Sequence, residues 1–167
     1  FRLVGSEMCI RDRYIILYIK NMSDNYSLII KNGSCYIDGK LIKSDIGLYE
    51  NKIKKIGNIE ENNSKVYDAS GKVVLPGIID TQVHFREPGS TDAEDLESGS
   101  RAAVLGGVTS LFEMPNTNPP TANLVEFEKK LKAAKNRMHS NYAFYFGATP
   151  QNTEQLAQLK NVEGCCG

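Results

Sequence analysis

The first part of the chain, from Tyr26 to about Val74, alternates short apolar runs with polar turn residues. Asn32-Gly33, Asp38-Gly39 and Ser70-Gly71 separate runs that are rich in Ile, Val, Leu and Tyr, and such pairs favour tight turns between strands. The Asp-Gly step in particular is typical of a two-residue hairpin. The pattern predicts a small all-β composite or sandwich domain over residues 22–75.

From residue 76 onward the pattern changes to strand, loop and helix, repeated three times. Consecutive βα units predict a parallel sheet, either open and doubly wound or part of a (β/α)8 TIM barrel. A glycine-rich dinucleotide motif does not follow the first strand, so a nucleotide-binding function loses its main support. We predict an α/β protein in which residues 76–167 are the first three βα units of a barrel too short to close. The predicted strands are 73–85, 108–114 and 142–147, and the predicted helices are 92–105, 124–137 and 153–160.

The helix patterns also predict where helices begin and which residues they bury. Thr91-Asp92-Ala93-Glu94 has the order of a capping box, and Gly106-Gly107 is typical of a helix end. Four apolar residues recur at helical spacing in the second helix, which indicates core packing. These residues are Leu124, Phe127, Leu131 and Ala134.

Charge and cysteine content narrow the class of partner. The chain has 20 Lys and Arg against 20 Asp and Glu, so neither nucleic acid nor an anionic membrane is an expected partner. The expected partner is a small-molecule substrate. Its four cysteines fit neither a zinc motif nor a disulfide framework, which predicts reduced thiols in a cytoplasmic protein.

The start of the chain does not belong to the predicted fold. Residues 1–13 resemble translated adapter sequence, and the apolar run at 14–19 is too short for a signal peptide or a transmembrane span. We therefore interpret residues 1–21 as an artefactual or disordered leader and Met22 as the natural start.

Polar residues concentrate where the first strand of the barrel region ends. Strand alternation predicts that Asp80, Gln82, His84 and Arg86 share one face of the segment GIIDTQVHFREPG at 77–89. Unpaired polar groups on a buried strand cost a few kcal/mol each, whereas a polar or metal-bearing cavity satisfies them. Because barrel active sites form at the carboxyl ends of strands, we expect the site here.

This segment, together with EMPNTNPP at 113–120, resembles the dihydroorotases of the amidohydrolase superfamily, and the likeness extends over about residues 27–167. The resemblance implies one or two zinc ions gripped by a His-x-His pair on the first strand. His84 matches the second histidine of that pair, whereas Gln82 replaces the first and is a weaker ligand. The bridging lysine, the later histidines and the catalytic aspartate are expected beyond Gly167, so no catalytic residue is assigned within the chain, which is predicted to be inactive by itself.

The resemblance also assigns two substrate-binding residues. Arg86 would grip a substrate carboxylate with its planar guanidinium, and Asn116 would bind the same carboxylate or the ring. The alternatives are a salt bridge from Arg86 to Glu87 or Asp80, and a turn role for Asn116. Asp80 is expected to orient its neighbours. His139 is expected to be a surface histidine, and the carboxylates at 92–97 a capped, solvated helix start.

Three functions fit these residues. The first is a dihydroorotase that interconverts N-carbamoyl-aspartate and dihydroorotate in pyrimidine biosynthesis, as a homo-oligomer or with aspartate transcarbamoylase. The second is an allantoinase or hydantoinase-type ring hydrolase, whose substrate would not require Arg86. The third is a non-catalytic dihydroorotase-like subunit that partners aspartate transcarbamoylase, which the replacement of a histidine by Gln82 makes credible.

Overall fold

The structure, a computed structural model, describes residues 25–167 in two compact units, which divide between Pro76 and Gly77. It contains both helices and strands, which confirms the mixed α/β class. The proposed leader at 1–21, the start at Met22 and Cys9 lie outside the described residues.

The unit that ends at Pro76 is a five-stranded sheet. β2 and β3 run antiparallel to their neighbours, whereas β4 and β5 both pair in parallel with β1, giving the order β3-β2-β1-β4 with β5 beside β1. Among residues 25–76 the strands form one sheet, and the composite or sandwich domain stays a prediction. The strands are β1 (Leu28–Ile37), β2 (Lys40–Tyr49), β3 (Lys52–Gly57), β4 (Lys65–Asp68) and β5 (Val73–Val74).

Two of the three predicted turns in this unit are confirmed. Asp38 and Gly39, at φ 48° and 80°, join Ile37 to Lys40 in a hairpin, because this turn needs positive φ at both central residues. Ser70-Gly71 also forms a turn. The turn predicted at Asn32-Gly33 is wrong, since this pair lies inside β1 where the register with β2 shifts. It is a β-bulge, which also uses turn residues because one residue needs positive φ.

The unit that begins at Gly77 has the predicted alternation of strands and helices. Its three strands are parallel and follow one another in the order β6-β7-β8, with a helix between each pair. Beyond these strands, Cys165 pairs with Phe144 in an isolated parallel β-bridge. The elements are β6 (Ile78–Val83), α1 (Leu96–Leu105), β7 (Val108–Glu113), α2 (Leu124–Ala134), β8 (Asn141–Phe144) and a 3₁₀ helix (Thr153–Asn161).

Three predicted elements have different bounds or types in the structure. The strand predicted at 73–85 is two strands, β5 and β6, because Pro76 lacks an N–H and fixes φ between them. The third predicted helix is 3₁₀ rather than α.

The capping box predicted at 91–94 is wrong. Asp95 caps α1 instead, accepting from the Ser98 amide at 2.6 Å, because these two residues are the pair that flanks the first helical turn. Gly106 ends α1 as predicted.

The core of the second unit lies between the sheet and α1 and α2. Phe127 and Phe144 are fully buried and meet edge to face, with ring centroids 6.4 Å apart. Burial of such a side chain contributes about 1.5–3 kcal/mol. Phe127 and Ala134 are buried and Leu124 and Leu131 pack against the core, so the four predicted core positions of α2 are confirmed.

Smaller predictions are also settled. His139 is exposed, as expected of a surface histidine. Cys35, Cys165 and Cys166 form no disulfide among residues 25–167. Within residues 25–167, no helix has the length and apolar character needed to cross a membrane.

Candidate substrate and metal site

The candidate site lies where β6 and β7 end side by side. The two strands pair in parallel with Val83 opposite Glu113, and the Met114 amide donates to the Val83 carbonyl at 2.8 Å. The segments that follow both strands therefore leave the same edge of the sheet. The parallel pairing places the two predicted motifs, 77–89 and 113–120, next to each other.

His84 and Asn116 are in contact across these two segments. His84 Nδ1 lies 2.8 Å from Asn116 Oδ1. Because an amide oxygen only accepts, Nδ1 is the donor in this arrangement, and in the neutral tautomer that donates from Nδ1 the Nε2 atom carries the lone pair. Asn116 Nδ2 forms no hydrogen bond within residues 25–167 and is available as a donor. One contact thus orients an imidazole and leaves an amide N–H group free.

Arg86 is exposed and forms no ion pair or hydrogen bond through its side chain with any residue in 25–167. The carboxylate of Glu87 is bound by Arg137, at 2.7 Å and 3.0 Å, so the alternative of an Arg86–Glu87 salt bridge does not hold. Asp80 accepts from the Gln82 amide at 3.0 Å and shapes the backbone beside it, in agreement with an orienting role. The guanidinium of Arg86 is left free.

Only part of the predicted polar face lies on β6. β6 ends at Val83, so His84 and Arg86 stand on the loop that follows it. β6 is also not buried on either face, since Ile78 and Ile79, which point to opposite faces, are 56% and 42% exposed. Among the described residues, β7 is the one strand that pairs with β6, so the other edge of β6 is open as well.

A zinc ion requires three or four nitrogen, sulfur or oxygen ligands. His84 meets the requirement for one of them, because its Nδ1 is hydrogen-bonded and its Nε2 is free. The Gln82 side chain is exposed and forms no hydrogen bond in residues 25–167, and no group of three His, Cys, Asp or Glu side chains converges there. The described residues therefore offer one side chain that could serve as a ligand and do not make a complete metal site.

A backbone contact fastens the two site loops together. The Asn118 amide donates to the Pro88 carbonyl at 3.0 Å, directly beside Gly89. Gly89 has φ +126°, and a Cβ atom there would lie 3.2 Å from both Cβ and O of Asn118. Only glycine fits this close approach without strain.

Replacing Gly89 with Ala should therefore separate the loops that carry Arg86 and Asn116. We expect a loss of about 1–3 kcal/mol in the free energy of unfolding, from positive φ and from the contact with Asn118. Gly57→Ala is the matched control, since Gly57 has φ +133° but nothing within 4 Å of its Cβ position. Urea unfolding of both variants compares the losses, and an equal loss would show that the Asn118 contact is unimportant.

The sequence analysis missed a buried ion pair behind the site. Lys130 Nζ of α2 lies 3.1 Å from Oε2 of Glu113 at the end of β7, and both side chains are almost fully buried. The approach is poorly directed, so neither carboxylate oxygen receives a well-aligned hydrogen bond. Burial raises the pKa of Glu113 to about 7 although Lys130 opposes this, and burial lowers the pKa of Lys130. Helical spacing in the sequence could have indicated that Lys130 is buried, because it stands three residues after Phe127 and four before Ala134, on the buried face of α2.

Asn152 is a second residue that sequence reasoning missed. Its buried side chain donates from Nδ2 to the carbonyls of Ala122 and Gly147, each at 2.8 Å, and accepts from the Thr149 amide. It thereby connects the segment after β7 to the segment after β8. No sequence pattern distinguishes this asparagine from a loop residue.

Comparison with known proteins gives the family of this chain. The profile of the Amidohydrolase family matches residues 73–164, more than half of the chain. The chain therefore belongs to the amidohydrolase family.

Particular relatives narrow the class to cyclic amidohydrolases. The chain is 40% identical over 130 residues to a dihydroorotase of Lactobacillus helveticus, covering 77% of this chain and 30% of that protein. It is 37% identical over 139 residues to an allantoinase of Salmonella choleraesuis, covering 83% and 31%. The structure is similar to that of an L-hydantoinase (dihydropyrimidinase) from Arthrobacter aurescens, with a TM-score of 0.73 and 30% identity over 82% of this chain and 31% of that one. The chain spans less than a third of the length of these relatives.

Proposed function

We propose that this chain is part of a dihydroorotase, a cytoplasmic cyclic amidohydrolase that interconverts N-carbamoyl-aspartate and dihydroorotate. The observation that carries the proposal is the pair of unused donors at the neighbouring strand ends. Arg86 has no internal partner, and Asn116 has a free Nδ2 while its oxygen holds His84. Such a pair suits a small substrate that bears a carboxylate.

The chemistry of the two donors supports a carboxylate rather than an uncharged ring. A guanidinium offers two parallel N–H groups to a carboxylate and remains charged at any physiological pH. Dihydroorotate and N-carbamoyl-aspartate both carry a carboxylate that this group would bind. An unsubstituted hydantoin or allantoin ring has no carboxylate and gives Arg86 no charge partner.

Zinc is the proposed cofactor, as one or two ions, with His84 as a ligand. When bound, zinc would polarise the ring carbonyl and activate water. The described residues supply only this one firm ligand, so the remaining ligands are proposed to lie in the portion of the relatives that the chain does not span. Within this chain, Asn116 would hold the His84 ring and Arg86 would fix the substrate.

Two other functions are each favoured by one observation. An allantoinase or hydantoinase-type hydrolase is favoured by the 37% identity to an allantoinase over 83% of the chain. A non-catalytic subunit that partners aspartate transcarbamoylase is favoured by Gln82, which stands where the resemblance implies a histidine. Neither explains why Arg86 is free at the strand end.

The deciding experiment uses the complete reading frame that contains residues 22–167. We expect purified protein to hold one or two zinc ions and to hydrolyse dihydroorotate faster than allantoin or hydantoin. Faster turnover of allantoin or hydantoin would replace the proposal with the second function. A folded protein without zinc and without turnover would replace it with the third.

The 167-residue chain assayed alone serves as the companion measurement. We expect it to be inactive toward dihydroorotate even when zinc is added, because one imidazole and a weak amide ligand do not make a zinc site. Turnover by this chain would contradict the assignment of the catalytic residues to the remaining part of the protein.

A further inference from the structure

The loop that carries Arg86 is held in place by the residue next to it. Glu87 Oε1 lies 2.7 Å from Arg137 Nη1, and Glu87 Oε2 lies 3.0 Å from Arg137 Nη2. This is a bidentate pair, which fixes direction as well as distance. The hydrogen bonds from Arg137 lower the pKa of Glu87, so the carboxylate is charged at neutral pH.

The same carboxylate also reaches α1. Its Oε2 accepts from the Leu96 amide at 3.0 Å, one of the N–H groups at a helix start that has no partner inside the helix. Arg137 in turn donates to the Ala133 carbonyl at 3.2 Å, near the end of α2. Glu87 therefore ties the loop after β6 to the start of α1 and to the segment after α2.

The residue on the other side of Arg86 is anchored as well. Phe85 is buried, and its ring lies so close to Gly99 of α1 that a Cβ there would be 2.5 Å from it. The Arg86 carbonyl accepts from the Ser90 amide at 2.9 Å. The backbone of Arg86 is thus fixed on both sides, although its side chain is exposed and has no partner in residues 25–167.

We propose that Glu87 and Arg137 are a positioning pair that aims the guanidinium of Arg86 at the substrate carboxylate. This inference rests on the proposed function. A displacement of about 1 Å in a binding group can cost on the order of a hundredfold in rate, so anchoring beside Arg86 has a direct effect on substrate binding. The pair itself does not touch the substrate, and its effect passes through Arg86.

The test uses the complete reading frame with Glu87→Gln, Arg137→Met and the control Arg101→Met. Arg101 is exposed on α1 and forms no ion pair within residues 25–167. Its variant therefore removes one positive charge, as Arg137→Met does, without touching the loop that carries Arg86. For Glu87→Gln and Arg137→Met we expect KM for dihydroorotate to rise about tenfold while kcat changes less than about twofold. For Arg101→Met both constants should stay at wild-type values.

A double variant separates positioning from a general loss of structure. If Glu87 acts through Arg86, then Glu87→Gln should change KM by less than about twofold in a background that already carries Arg86→Met. A purely structural role predicts the same tenfold change in both backgrounds, and this result would overturn the inference. So would a Glu87→Gln variant with the kinetics of Arg101→Met.

The two proposals fail in distinguishable ways. A wild-type protein that neither binds nor hydrolyses dihydroorotate overturns the proposed function and this inference with it. A wild-type protein that hydrolyses dihydroorotate, with Glu87 variants that keep its KM, overturns this inference alone.

Discussion

Replacing Lys130 with Met should lower the free energy of unfolding of the 167-residue chain by about 3–5 kcal/mol, the cost of leaving a buried charge without its partner. Glu113 is fully buried, and Lys130 is the one cation within 4.0 Å of it among residues 25–167. Urea unfolding followed by the helical circular dichroism signal reports on the unit that contains α1 and α2. Lys132→Met, on the exposed face of α2, is the matched control and should change little.

The loss in Lys130→Met should depend on pH with a definite sign. Burial already raises the pKa of Glu113 to about 7, and without Lys130 it rises further. A carboxyl whose pKa is raised on folding contributes stability below its unfolded pKa, and this contribution is lost as pH rises through the folded pKa. The variant should therefore lose less stability at about pH 5 than at about pH 8. A loss that is equal at both values would contradict ionisation of Glu113 as the cause.

Adding Glu113→Leu to Lys130→Met should restore most of the lost stability. An apolar pair of similar volume needs no charge compensation, and such replacements of buried ion pairs are often neutral or stabilising. If the double variant remains as unstable as Lys130→Met, the packing of the lysine chain rather than its charge holds α2 on β7.

The second large effect is expected at Arg86, in the complete reading frame. Arg86→Met should raise KM for dihydroorotate about 30- to 150-fold with a smaller change in kcat, because a charge-assisted hydrogen bond to a carboxylate contributes about 2–3 kcal/mol. Arg86→Lys should recover part of this, since an ammonium keeps the charge without the planar fork. The measurement is steady-state hydrolysis of dihydroorotate.

An unchanged KM in Arg86→Met would contradict a carboxylate-bearing substrate. The function would then be better described by the allantoinase or hydantoinase type, whose rings do not require the charge. The same variant should keep the unfolding midpoint of the wild-type protein, because Arg86 is exposed and has no internal partner among residues 25–167. Loss of stability together with activity would indicate a structural role instead.

Much of the site could be predicted from sequence because its motifs are local. The segment 77–89 and the segment 113–120 each follow an apolar strand, and parallel strands bring their carboxyl ends to one edge. This reasoning predicted that the two segments meet at one site, and the structure adds a contact that it did not predict, with His84 Nδ1 and Asn116 Oδ1 2.8 Å apart. It could not predict that Asn116 would accept from His84, because hydrogen-bond direction depends on side-chain torsions in the folded chain.

The errors in the fold have physical causes that sequence patterns do not contain. Asn32-Gly33 favours positive φ, and the same preference serves a hairpin turn or a bulge within β1. The apolar run 73–85 reads as one strand, yet its two halves pair with different partners on either side of Pro76. In both cases the choice depends on which strand becomes the neighbour.

The sequence by itself determined the local features of this protein: the alternation of strands and helices, the apolar face of α2 and the motifs that follow β6 and β7. Only the tertiary structure decided the long-range pairs. Glu87 and Arg137 are 50 residues apart and become bonded because the loop after β6 reaches the segment after α2. Glu113 and Lys130 are buried together because α2 packs on β7. Side-chain periodicity shows which face of an element is buried, but the partner of a buried charge is set by how separate elements pack.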